Sequence, residues 1–126
     1  MRVFKGGSTR DDDTGKIDYE GYLHPLVLQR YGQYMLKHQT QADGNKRASD
    51  NWQRGKGIPT QAYIKSDLRH VIDVWLEHRG YASRDGLEDA LCAEMFNTMG
   101  HLLSILKKRI KKKNIKRVKE KKNVKD

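Results

Sequence analysis

The chain has 126 residues, 36% of them hydrophobic, and a formal net charge of +10 from 26 Lys and Arg against 16 Asp and Glu. This length predicts a single domain, and the single cysteine, Cys92, excludes an internal disulfide and fits a reducing compartment. Residues 1–13 lack the apolar stretch of a signal peptide, and the longest charge-free run, residues 95–106, is too short to span a bilayer. We therefore expect a soluble cytoplasmic protein with no membrane partner.

Helical spacing of apolar residues predicts an all-α fold, and only residues 1–4 hint at a strand. The first helix begins at Pro25, because proline in a first helical turn loses no hydrogen bond. Residues 40–60 contain several glycines and form a long loop around Trp52. A second helix covers residues 61–79. The third starts near Leu87 and continues with no breaker toward the end of the chain.

The positive charge is concentrated in the last 20 residues. Residues 107–126 contain 12 Lys and Arg and two acidic residues, so they carry the whole net charge, and residues 1–106 are neutral overall. We therefore divide the chain into an all-α body, residues 1–106, and a basic tail, residues 107–126. The tail is either a helical extension or disordered, since like charges at i and i+4 oppose a helix. Its composition favours nonspecific binding of nucleic acid or a solubilising role.

Polar and acidic side chains recur at helical spacing on the second and third predicted helices. His70 and Asp73 are three residues apart and share a face, as do Glu94 and Asn97. Asp89 lies eight residues before Asn97, about 80° round the helix, and can flank the same site. Two antiparallel helices with such oxygen ligands can hold Mg²⁺ between them. The alternative is a solvated edge, with Asp89 complementing the dipole of its helix.

Several short motifs, in their order and spacing, resemble one protein family. They are Arg10-Asp-Asp-Asp-Thr-Gly-Lys16-Ile-Asp18, Asn51-Trp52-x-x-Gly55, Arg69-His70, and Asp85-Gly86-Leu87 followed by a helix ending in Asn97. Across about residues 8–106 the chain is similar to the phage dATP/dGTP diphosphohydrolase N-terminal-domain family, within the all-α MazG-like nucleoside triphosphate pyrophosphohydrolases. The resemblance implies a MazG-like helical bundle completed by homo-oligomerisation, as a dimer or tetramer. It implies the host cytoplasm as the location if a phage encodes the protein.

The implied activity is the cleavage of a purine deoxynucleoside triphosphate to the monophosphate and pyrophosphate. The broader group binds Mg²⁺ with the pairs Glu-x-x-Glu and Glu-x-x-Asp on two helices. The matching positions here are His70-x-x-Asp73 and Glu94-x-x-Asn97, where histidine and asparagine replace acids and Asp89 adds a further carboxylate. The resemblance thus implies Mg²⁺, or Mn²⁺, held by His70, Asp73, Asp89, Glu94 and Asn97. In this interpretation His70, Asp73 and Asp89 are also the catalytic residues.

Four further matching residues are implied to bind the substrate. Lys16 is a flexible point charge suited to a phosphate, or simply a loop lysine. Trp52 stacks on the base while Asn51 meets a base edge, or the indole covers the core from its loop. Arg69 clamps the triphosphate, or pairs with Asp73 four residues on.

Two functions are consistent with these observations. The first is a metal-dependent nucleoside triphosphate pyrophosphohydrolase that acts on purine deoxynucleotides, with residues 1–106 as its catalytic body. The second is a non-enzymatic nucleic-acid-binding accessory protein, in which the helical body dimerises and the basic tail attaches to nucleic acid. The tail accounts only for the last 20 residues, so the pattern in the body favours the enzyme.

Overall fold

Four α-helices contain most of the residues that the computed structural model describes, which are residues 2–55 and 57–125. The helices are α1 (Tyr19–Tyr22), α2 (Pro25–Lys37), α3 (Thr60–His78) and α4 (Leu87–Lys125), with a 3₁₀ turn at Asn51–Gln53 between α2 and α3. Strands β1 (Arg2–Val3) and β2 (Thr9–Arg10) form a small antiparallel hairpin. The prediction of a mostly helical chain is therefore confirmed.

The helix ends follow from residues whose backbone preferences are known. Pro25 is the first residue of α2, and Pro59 directly precedes α3, as expected for a residue with fixed φ and no N–H. Asp18 caps α1 by accepting a hydrogen bond from the amide of Gly21. After α3 the chain turns at Gly80, whose φ of 86° lies in the left-handed region that favours glycine.

The centre of the fold is the antiparallel pair formed by α3 and α4. Tyr63 of α3 packs against Gly100 of α4 so closely that a methyl group at Gly100 would overlap the tyrosine ring. The buried apolar residues are few: Tyr63, Ala90, Cys92 and Ala93. Three polar residues, Asp73, Asp89 and Asn97, are as deeply buried as these. Buried polar residues are therefore nearly as numerous as buried apolar ones in the part of the chain that the structure describes.

Large apolar side chains remain exposed along α3. Leu68, Ile72 and Trp75 are each more than half exposed, although their spacing is that of one helix face. None of the helices in the described residues combines enough length and apolar character to cross a membrane. α4 continues beyond residue 106 and through the basic segment to Lys125 without interruption.

Candidate functional site

A cavity of about 740 Å³ lies between the C-terminal half of α2, the loop that contains the 3₁₀ turn, and the α3–α4 seam. Trp52 and Phe96 form an aromatic wall, with their ring centroids 5.7 Å apart and their planes at 74°. Asn51, His70 and Asn97 line the same cavity. One residue of each of the second and third predicted helices, His70 and Asn97, and two residues of the predicted loop, Asn51 and Trp52, therefore line the same cavity.

Asn97 is a buried polar anchor in the wall of this cavity. Its Nδ2 donates hydrogen bonds to Ser66 Oγ at 3.2 Å and to the carbonyl oxygen of Ala93 at 3.0 Å. Both Nδ2 protons are thereby engaged in holding the side chain across the helix seam. Oδ1 is the remaining polar atom of the amide, and it is an oxygen acceptor.

Next to Asn97 the seam contains two acidic side chains on facing helices, Asp67 and Glu94. Asp67 Oδ1 and His70 Nδ1 are buried, and neither has a hydrogen-bond partner among the described residues. Burial raises the pKa of Glu94, the like charge of Asp67 raises it further, and His70 opposes both effects. Asp67 and Glu94 therefore share one partly desolvated region, with His70 beside them.

Asp73, one turn further along α3, is held by a cation. Arg84 Nη2 lies 2.6 Å from its Oδ2, and His70 Nδ1 lies 3.5 Å from the same oxygen. The hydrogen bond from Arg84 holds the pKa of Asp73 below its ordinary value. Glu77 accepts hydrogen bonds from the backbone N–H and the hydroxyl of Ser83, so both carboxylates fix the turn between α3 and α4.

Asp89, at the start of α4, is held by two cations from α2. Arg30 Nη2 lies 2.7 Å from Oδ1, and Lys37 Nζ lies 2.7 Å from Oδ2. These hydrogen bonds, that of Lys37 first, hold the pKa of Asp89 below its ordinary value. Arg30 also contacts the exposed Glu88 at 2.8 Å. Asp89 thus joins α2 to α4, and a role as a metal ligand would require it to leave both ion pairs.

The structure separates the predicted site residues into three groups. Asn51, Trp52, His70 and Asn97 line the cavity, with Glu94 beside them in the seam. Asp73 and Asp89 are held in ion pairs. Lys16 and Arg69 are exposed, and neither belongs to the cavity lining within the described residues. Nor does any group of three or more His, Cys, Asp and Glu side chains in the described part of the chain come close enough together to hold a metal ion.

Sequence reasoning did not single out Asp67, Ser66 or the cations that hold Asp73 and Asp89. Asp67 and His70 are three residues apart on α3, a spacing identical to that of the predicted pair His70 and Asp73, but one turn earlier. Which pair faces Glu94 depends on the register of α3 against α4. The spacing along one helix does not determine that register, whereas the contact between Ser66 and Asn97 does.

Comparison of the chain with models of known protein families, with curated proteins and with solved structures found no match. What the site can do therefore follows from its own geometry and chemistry.

Proposed function

We propose that the protein is a metal-dependent nucleoside triphosphate pyrophosphohydrolase of the MazG-like kind that acts on purine deoxynucleotides. One observation carries the proposal. Asp67-x-x-His70 on α3 lies across the seam from Glu94-x-x-Asn97 on α4, and His70 and Asn97 of this set line a cavity that also contains an indole. An acidic pair beside an aromatic pocket suits a ligand that combines a base with charged phosphates.

The cavity suits the nucleoside part of such a ligand. Its volume of about 740 Å³ lies within the range of small-molecule sites. The faces of Trp52 and Phe96 offer stacking surfaces, and Asn51 offers an amide for a base edge. Arg47 lines the same cavity. In this proposal Arg47 takes the phosphate-binding role that the sequence assigned to Lys16 and Arg69.

The donor set at the seam has the chemistry of a Mg²⁺ or Mn²⁺ site. Asp67 would supply a carboxylate oxygen and Asn97 an amide oxygen, with substrate phosphates and water as the other ligands, because no three His, Cys, Asp and Glu side chains of the described residues are close enough to hold the ion themselves. The buried and unpartnered Oδ1 of Asp67 suits an oxygen whose partner is a cation. When bound, Mg²⁺ would neutralise phosphate charge and favour attack of water on phosphorus. Asp73 and Asp89, already neutralised by Arg84, Arg30 and Lys37, are not needed as ligands.

The chain's own residues then have distinct roles. Glu94, whose pKa is raised by burial, is suited to accept the proton that the attacking water loses, because a carboxylate with a raised pKa is a stronger base. Asn97 is fixed by Ser66 and holds its amide oxygen at the cavity wall. Asp73 lies 3.5 Å from His70 Nδ1 and favours the orientation that directs the other ring nitrogen away from it.

The test of the activity is pyrophosphate release from a panel of deoxynucleoside and ribonucleoside triphosphates with Mg²⁺ or Mn²⁺. We expect turnover of the purine deoxynucleotides, with the monophosphate and pyrophosphate as the only products. Release of orthophosphate instead, or no turnover of any triphosphate by the folded protein with either metal, would contradict the proposal.

A second test concerns the cavity alone and needs no turnover. The chain has two tryptophans, and replacing Trp75, which lies on the exposed face of α3, leaves Trp52 as a single fluorescent reporter in the cavity. In a Trp75→Phe variant we expect a purine deoxynucleotide to change the emission of Trp52 saturably. In the matched Trp52→Phe variant, which keeps Trp75, the same titration should give no saturable change.

We also propose that a second copy of the chain covers the exposed apolar face of α3. Leu68, Ile72 and Trp75 occupy one helical face and are more than half exposed, and exposed apolar patches of this kind mark interaction sites. We expect sedimentation analysis to give a mass of at least a dimer for the wild type and of a monomer for Ile72→Glu. A monomeric wild type would contradict this assembly without affecting the assignment of the active site.

A further inference from the structure

The second half of α4 is a helix with no described contact along most of its length. Every side chain from Lys107 to Lys122 is exposed. Lys107 is tied to the body, since its Nζ donates to the carbonyl oxygen of Gln53 at 2.6 Å, next to Trp52. Residues 108–122, which we call the basic helix, are thus an uninterrupted continuation of the helix that carries Glu94 and Asn97.

The basic helix has two different faces. Ile110, Ile115 and Val118 lie on one face together with Lys111, Asn114, Lys119 and Lys122. The opposite face has no apolar residue. Five basic residues occupy it within an arc of about 140°, at 100° per residue, with one acid, Glu120, near its end; they are Arg109, Lys112, Lys113, Lys116 and Arg117.

We propose that this second face of the basic helix binds double-stranded DNA through its phosphates, without sequence preference. A row of cations on a straight helix is complementary to the regular phosphates of a duplex, and the major groove of B-form DNA admits an α-helix. The segment contains no aromatic residue, so the base stacking that single-strand binding requires is missing. A membrane surface is disfavoured because only three apolar residues are present and lysines lie among them.

The electrostatics of the segment support this partner. Like charges at i and i+4, such as Arg109 and Lys113, or Lys113 and Arg117, repel each other along the helix. When a polyanion binds, its phosphates attract these side chains and offset their mutual repulsion, and the counterions condensed on the polyanion are released. The body of residues 1–106 has no net charge, so the field that attracts a polyanion comes from this segment. The inference does not depend on the proposed hydrolase.

The experiment measures binding of the full chain to a labelled DNA duplex of about 20 base pairs of arbitrary sequence by fluorescence anisotropy at several salt concentrations. The variant Arg109→Gln/Lys113→Gln/Arg117→Gln removes three charges from the proposed face. The matched control Lys111→Gln/Lys119→Gln/Lys122→Gln removes three charges from the apolar face. We expect the first variant to lose at least about tenfold more affinity than the control. Equal losses, or no binding by the wild type, would overturn the proposal.

Two further measurements separate a helix from a merely charged segment. Asn114→Pro leaves the charge unchanged but breaks the helix, and we expect it to bind at least about fivefold more weakly than Asn114→Ala. Equal affinity of these two variants would contradict a role for the helix. The remaining probes are a single strand of the same length and phosphatidylserine vesicles. Tighter binding of either probe than of the duplex would overturn the choice of partner.

Discussion

Two pairs of carboxylates lie on the same two helices of this protein, and their surroundings are opposite. Asp73 on α3 and Asp89 on α4 are buried, and each is held by an arginine at 2.6–2.7 Å. Asp67 on α3 and Glu94 on α4 lie only a few residues away, yet neither has an ion-pair partner among the described residues. The pKa of each held carboxylate is lowered, whereas that of Glu94 is raised.

The difference indicates which carboxylates stabilise the fold and which are available to a ligand. A buried carboxylate that is paired and hydrogen-bonded contributes to stability, whereas one left without a cation costs free energy. A protein retains the second kind where a ligand completes it. Asp73 therefore connects α3 with the turn that follows it, and Asp89 connects α4 with α2. We propose Asp67 and Glu94 as the carboxylates of the hydrolase site.

The largest effect is expected from neutralising the unpaired carboxylates. In Glu94→Gln we expect pyrophosphate release to fall by about 100-fold or more, because the proposed general base is lost. At neutral pH the melting temperature should stay the same or rise, because the buried charge is removed. Asp67→Asn should also lose activity, and in isothermal titration calorimetry it should bind Mn²⁺ more weakly than the wild type. Full activity in both variants, or a large fall in their melting temperatures, would remove the distinction between the two pairs.

The next effect concerns Asp89, whose side chain is only 9% exposed. Asp89→Asn leaves Arg30 and Lys37 without their shared anion, and we expect it to lower the free energy of unfolding by about 2 kcal/mol. The matched control is Glu88→Gln, because Glu88 contacts the same Arg30 but is 74% exposed, and exposed ion pairs contribute little. Chemical denaturation monitored by circular dichroism measures both, and equal effects would contradict the assignment of Asp89.

The pH dependence of stability gives a smaller effect of known sign. The pKa values of Asp73 and Asp89 are lowered in the folded protein, so their stabilisation is present above the ordinary value of 3.8 and is lost as the pH falls through the folded value. Glu94 has the opposite effect on stability. Its pKa is raised in the folded protein, so its stabilising contribution is lost as the pH rises through the folded-state pKa. We expect the melting temperature of the wild type to decrease below about pH 4. The decrease should be smaller in Asp89→Asn, and an identical acid profile would contradict the ion pair.

The three long helices, α2, α3 and α4, were predictable because their signals are local, whereas the single turn of α1 was not predicted. Pro25 and Pro59 fix φ where α2 and α3 begin, and the turn at Gly80 needs a residue that tolerates positive φ. The apolar spacing of α3 and α4 depends only on neighbours three and four residues away. The hairpin of β1 and β2 was not predicted beyond a hint of a strand at residues 1–4, because two-residue strands are too short for alternation to be recognised.

The site was less predictable because it depends on contacts between residues distant in the sequence. His70, Glu94 and Asn97 were singled out by spacing and do adjoin one another, but Asp67 was overlooked. The position of Asp67 opposite Glu94 depends on the register of α3 against α4, which is set by close packing such as that of Tyr63 on Gly100. The pairing of Asp89 with residues 52 and 59 positions earlier on α2 has no local signature either, so the sequence around an acid at a helix start does not reveal the two cations that hold it.

The smallest effect tests whether the register that brings Asp67 to Glu94 is fixed by the seam. Gly32 in α2 and Gly100 in α4 are both within helices, so alanine at either position gains about 0.5–1 kcal/mol of helix propensity. A Cβ at Gly32 would meet no atom within 4 Å, whereas one at Gly100 would overlap the ring of Tyr63. We therefore expect Gly32→Ala to raise the free energy of unfolding and Gly100→Ala to lower it, because the ring must shift and overpacking costs about 1–3 kcal/mol.

If α3 and α4 slide or separate to admit the methyl group, Asp67 and Glu94 move relative to each other, and Gly100→Ala should lose pyrophosphate release even in its folded fraction. A gain in stability at both positions would show that the seam is loose enough to admit the methyl group, and the proximity of Asp67 and Glu94 would then not be imposed by packing.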